Sequence, residues 1–174
     1  MSLRAARYQG EALAETLGLA KPPVDVKLVA RRLGLKIIFL ELGEDVSGLL
    51  ISKADSTIIA VQESDSPRRQ RFTIAHEIGH FSLRHQFEPG GHVHVDRGHL
   101  ITPRNSRSST GVDFKEIEAN QFAACLLMPS RLLLARIKVL RVKSLCDCHV
   151  EVLANEFKVS EQAMTIRLST LGFL

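Results

Sequence analysis

Residues 64–85 read Ser64-Asp-Ser-Pro67-Arg-Arg-Gln-Arg-Phe72-Thr-Ile-Ala75-His76-Glu77-Ile78-Gly79-His80-Phe-Ser-Leu83-Arg-His85. A polar residue followed by proline at the first helical position is a helix start, because proline lacks only an amide hydrogen that would have no partner there. Phe72, Ala75, Ile78, Gly79 and Leu83 then recur every three or four residues, so the stretch from Arg68 to about His85 is expected to form one long, partly buried helix. On that helix His76 and His80 lie one above the other, about 5–6 Å apart at Cβ. Two imidazoles so placed can share one divalent cation. Glu77 sits one position round, where it can take a proton from a water at that cation without being a ligand. H-E-x-x-H on a helix is the signature of this chemistry.

Upstream, Leu3, Ala6, Leu13 and Leu17 are spaced for a helix ended by Gly18, and Asp25 can cap a short helix ended by Gly34. The runs 35–40, 48–52 and 57–61 are rich in β-branched residues and separated by short polar connections; they are expected to form an antiparallel meander. Downstream, residues 88–111 are rich in Gly, Pro, Ser, Arg and His, a connection long enough to be functional or mobile. Asp113 and Glu116 fit a capping box that opens a helix through Ala119, Phe122, Ala123, Leu126 and Leu127, closed by Met128-Pro129. Another helix starts at Ser130, and residues 149–171 read as helix, three-residue turn and helix, with Ser160 as a cap. The expected fold is α+β. A small antiparallel sheet packs on the long metal-binding helix, with a catalytic core over 1–129 and a helical subdomain with a helix-turn-helix-like tail over 130–174.

The 174 residues fit one compact domain able to bury its own core. With 45% hydrophobic and 24% charged residues, the composition is globular and excludes disordered, collagen-like and coiled-coil chains. Lys and Arg number 23 against 19 Asp and Glu, a net charge of +4, too mild to establish nucleic-acid binding. Arg4, Arg7, Glu11 and Glu15 interrupt any signal-peptide-like stretch, and no run approaches the ~20 apolar residues of a membrane span. The three cysteines are an odd number and read as reduced thiols, so the expected compartment is the cytoplasm.

A hydrolytic metal centre needs three protein ligands and one open position. The third ligand is expected from the helix after the loop. Glu118, beside the small Ala119, is preferred; Glu116, assigned to the capping box, is the alternative. An acid near a helix start is also favoured by the helix dipole alone. His85 reads as a surface residue. His92, His94 or His99 could stabilise an oxyanion, but as loop residues they are more simply exposed. The one tyrosine, Tyr8, lies far away in sequence. Cys146-Asp-Cys148-His149 has half the donors of a zinc site at too tight a spacing, and Cys125 reads as core. Arg167 and Lys158 could touch DNA phosphates if the tail reads DNA; packing of a helix pair on the body is the preferred reading.

Three stretches together resemble the ImmA/IrrE family of metallo-endopeptidases: residues 71–80, Glu116-Ile-Glu-Ala-Asn-Gln-Phe-Ala-Ala-Cys-Leu-Leu-Met-Pro129, and Phe157-Lys-Val-Ser-Glu-Gln-Ala-Met-Thr-Ile-Arg-Leu168. Residues 23–34 fit the family's opening. The resemblance implies a cytoplasmic bacterial protease of gluzincin type that cleaves or removes a helix-turn-helix repressor to switch on a mobile element or a stress response. It implies His76, His80 and Glu118 as ligands of zinc or manganese and Glu77 as the catalytic residue, with no long extra region for a sensor domain. Other readings are an antirepressor that binds without cutting and a DNA-binding regulator. A peptide substrate is expected to add to a sheet edge, here through residues 57–61.

Overall fold

The computed structural model describes residues 2–43, 45–53, 56–85, 93–96, 110–142 and 144–174. Helix α1 (Leu3–Thr16) starts where the Ser2 hydroxyl accepts the Ala5 amide, and α2 (Val26–Arg32) where Asp25 accepts that of Leu28. Strands β1 (Leu35–Leu40), β2 (Gly48–Lys53) and β3 (Ser56–Gln62) precede α3 (Pro67–Ser82), which Ser66 caps. Strand β4 (Val93–Asp96) and helices α4 (Thr110–Leu127), α5 (Ser130–Leu140), α6 (Asp147–Phe157) and α7 (Glu161–Thr170) follow. The fold class is α+β, as expected.

The sheet is mixed rather than an antiparallel meander. Its order is β1-β3-β2-β4, with β3 parallel to β1 and antiparallel to β2, and β4 antiparallel to β2. Ile59, Ala60 and Val61 are consecutive and all buried. A strand with both faces covered belongs inside a sheet, and the connection from β1 to β2 is long enough to let β3 insert between them. Residues 57–61 are therefore not an edge; the outer strands are β1 and β4. The 88–111 connection, expected to be functional or mobile, contains β4, whose Val93-His-Val95-Asp pattern alternates as a strand does.

Helix α4 is the centre of the helical layer, packed against α1 and α3 and carrying the buried Ala119, Phe122, Ala123, Leu126 and Leu127. Gly79 makes the α3 contact possible. A Cβ there would stand 3.2 Å from the Ala119 carbonyl oxygen and 3.2 Å from Phe122 Cδ1, so glycine against alanine lets the two backbones approach. On the far side, Phe157, Met164 and Leu168 join the same apolar core. Arg68 donates to Asn155 and Arg71 to the Phe157 and Lys158 carbonyls, tying α3 to the tail.

The tail is two helices joined through Lys158, Val159 and Ser160, with Lys158 left-handed at φ 56° and Ser160 accepting the Ala163 amide. Arg167 does not face outward. It is buried, pairs with Glu11 of α1, and donates from Nε to the Met128 carbonyl at 3.1 Å. Glu11 also accepts the Ser130 amide at 2.9 and 3.1 Å, in place of the capping side chain that Pro129 cannot provide at the start of α5. One carboxylate and one guanidinium thus join α1, α5 and α7, and Arg167 is unavailable to a phosphate.

Candidate metal centre

Helix α3 turns His76, Glu77 and His80 inward, each no more than 2% exposed. The Nε2 atoms of His76 and His80 lie 2.9 Å apart, and the carboxylate of Glu116 on α4 stands 3.1 Å from the first and 3.4 Å from the second. Glu116 is 29% exposed in its side chain, so the cluster opens to solvent on that side. Its donor atoms all fall within 4.8 Å of one another.

The hydrogen bonds of the rings decide what this cluster fits. His76 Nδ1–H donates to Asn120 Oδ1 at 3.0 Å, and His80 Nδ1 is bonded to His85 Nδ1 at 2.9 Å. With the Nδ1 hydrogens used there, both Nε2 atoms present lone pairs to each other and to a carboxylate. Lone pairs converging in this way suit a cation placed among them. Two imidazole nitrogens and a carboxylate oxygen are a donor set suited to a divalent first-row metal.

Glu116 and Glu118 take different places from those expected. Helix α4 starts at Thr110, so Glu116 lies in its second turn, away from any capping position, and its carboxylate reaches the two histidines. Glu118 is 2% exposed and accepts from His85 Nε2 at 3.1 Å. His85 is not a surface residue: its side chain is 5% exposed. Burial lowers its pKa, against the opposing pull of the hydrogen bond to Glu118. His85 and Asn120 are the residues the sequence reading missed. The signal was present in Asn120, one helical turn from Glu116 on the same face, and in Arg84-His85 just past the end of the helix.

Glu77 is fully buried and turns toward β2. A Cβ at Gly48 would lie 3.3 Å from Glu77 Oε1 and only 2.3 Å from Thr73 Cγ2, so glycine leaves the room this carboxylate occupies. His92 and His99 lie outside the described residues, as does the side chain of His94. A cavity of about 340 Å³ lined by Glu41, Ser47, Gln62 and Asp65 opens at one end of the sheet, and none of the clustered histidines lines it. Cys146 and Cys148, expected as reduced thiols, face each other across the start of α6, the extended cap residue and the first turn bringing their Cα atoms to 5.4 Å. The neighbouring His149 Nδ1 accepts the Cys146 amide at 3.1 Å and lies 2.9 Å from the Cys146 sulfur, and the three residues form a second group that could hold a metal ion. Cys125 is a free, buried core thiol, as expected, and burial pushes it up to about 11.

A buried histidine pair one turn apart on a helix, closed by an acid from a second helix, defines a metallopeptidase-like centre. Residues 30–169 match the Peptidase M78 model, the IrrE N-terminal-like domain, and the chain belongs to this family of metallopeptidases. None of the curated proteins matches it. Among solved structures, a Mycobacterium tuberculosis transcriptional regulator shares the fold with a TM-score of 0.60 at 17% identity over 95% of this chain. The chain spans about half of that structure, 47% of its length. None of the described helices is long and apolar enough to cross a membrane.

Proposed function

We propose that this chain is a metal-dependent endopeptidase, with His76, His80 and Glu116 holding the cation and Glu77 as general base. The observation that carries the reading is the convergence of two imidazole lone pairs and the Glu116 carboxylate at an opening to solvent. Glu116 replaces Glu118 as third ligand because it meets both histidines, whereas Glu118 bonds to His85. Zinc is the metal we favour, since three ligands of this kind plus a water suit its tetrahedral preference; manganese is the alternative.

A cation bound there supplies a water acidic enough to ionise near neutral pH and polarises a carbonyl. Glu77 would act as the base toward that water and return the proton to the leaving amine, so that one water is added across the peptide bond to give an acid and an amine. Its burial beneath β2 keeps the carboxylate in place between these two transfers. A substrate peptide adds to the sheet at β4, the one of the two outer strands whose Asp96 is paired with Gly48 beside Glu77.

The substrate we infer is a helix-turn-helix repressor, cleaved to release a mobile-element or stress response in the cytoplasm. Support comes from family membership and from the fold shared with a protein described as a transcriptional regulator. The test is Glu77→Gln in the full chain with its candidate partner. Cleavage falls by roughly 10²–10⁴-fold while metal and partner binding remain. Antagonism of the partner at wild-type strength by this variant would instead establish an antirepressor that acts by binding.

A further inference from the structure

We infer that His85 and Glu118 form a positioning relay that holds His80 in the one tautomer able to bind the cation, an inference that rests on the metal reading above. The chain of bonds starts at the carboxylate. Glu118 Oε2 can only accept, so the His85 nitrogen 3.1 Å away, Nε2, carries the hydrogen. His85 then offers a lone pair at Nδ1, which accepts the hydrogen on His80 Nδ1 at 2.9 Å. His80 is left with a lone pair at Nε2, the atom that faces His76 and Glu116. One buried carboxylate fixes two successive rings.

The backbone is arranged to bring this about. Helix α3 ends with the His85 amide donating to the His80 carbonyl at 3.0 Å and the Arg84 amide to that of Phe81 at 3.1 Å. This is a Schellman closure. It requires a left-handed residue after the cap, and Arg84 fills that position at φ 54° although glycine would do so without strain. In such closures the residues corresponding to His80 and His85 commonly make an apolar contact. Here the same two positions face each other through imidazoles, so a structural device for ending helices also sets the second ring of the relay. His76 has a simpler support, the neutral amide of Asn120. The charge behind His80 makes its Nε2 the more basic of the two donors.

Neither residue touches the cation, so both are positioning residues, and zinc affinity rather than turnover reports on them. The experiment titrates the full chain with zinc against a chromophoric chelator for wild type, Glu118→Gln, His85→Ala, His85→Gln, Glu116→Gln and the Glu118→Gln/His85→Ala double variant. The relay requires Glu118→Gln and His85→Ala each to weaken zinc binding about 10–100-fold, with the metal-free melting temperature of Glu118→Gln unchanged. His85→Gln should recover most of the loss, because its amide can accept from His80 and donate to Glu118. The double variant should be no weaker than His85→Ala alone, since a carboxylate cannot act through an absent ring. Wild-type affinity in both Glu118→Gln and His85→Gln, or additive losses in the double variant, overturns the relay. A loss in Glu118→Gln as complete as in Glu116→Gln overturns it too, by making Glu118 a ligand. A wild-type chain that takes up no zinc or manganese refutes the metal reading itself, a result distinct from all of these.

Discussion

Among the described residues, two largely buried polar clusters are built on opposite principles. Where α1, α5 and α7 meet, the Glu11 carboxylate is answered by Arg167, the Ser130 amide is satisfied, and the Met128 carbonyl receives the guanidinium. Between α3 and α4, His76, His80 and Glu116 bring together two lone pairs and a carboxylate, the arrangement that calls for a positive charge. The first cluster carries its own cation and is architecture. The second is a group that could hold one from solution. Burial of polar groups therefore does not by itself mark function; the kinds of donor that converge distinguish the two clusters.

Removing one charged side chain from each cluster should separate the two most sharply. Glu116→Gln lowers zinc affinity more than about a hundredfold, since a ligand is lost rather than a support, as chelator competition will measure. Its metal-free stability should change little. Arg167→Met does the reverse. It leaves Glu11 and the Met128 carbonyl without their donor and costs about 2 kcal/mol in denaturant unfolding, moderated by the partial exposure of Glu11, with zinc affinity unchanged. Zinc at a hundredfold over its dissociation constant should stabilise wild type by about 2.7 kcal/mol, Arg167→Met by the same amount, and Glu116→Gln by far less. Gly79→Ala places a methyl 3.2 Å from the Ala119 carbonyl and should cost about 1–2 kcal/mol. It should also weaken metal binding, because the helices bearing the two sets of ligands are pushed apart. The smallest effect is chemical: at pH 8 the Cys125 thiol, raised to about 11 by burial, should resist alkylation in the folded protein and react once it is unfolded.

The helices were legible because their caps are local. Ser66-Pro67, Asp25 and Ser160 act within one turn of themselves, and the three- and four-residue spacing of Phe72, Ala75 and Ile78 needs no partner to be recognised. The place of β3 was harder to read. Its uninterrupted Ile58-Ile59-Ala60-Val61 signals burial on both faces, but short connections favour neighbours in sequence, and only the sheet as a whole shows β1 beside β3. His76, Glu77 and His80 were read from a pattern confined to one helix. Glu116 and Glu118 differ by how α4 is rotated against α3, which depends on the Gly79 and Ala119 contact and on where α4 starts. Neither is a local property. His85 depends on a left-handed arginine, a conformation that sequence favours only for glycine and asparagine.

The Gly79 and Ala119 contact also works as a caliper. Two backbones already at van der Waals distance cannot close further, and separating them exposes the apolar face beneath. The gap spanned by the histidines and Glu116 is therefore set by carbon packing rather than by whichever ion arrives. How near the carboxylate on one helix comes to the imidazoles on the other thus belongs to two residues that give no donor atom to the cluster.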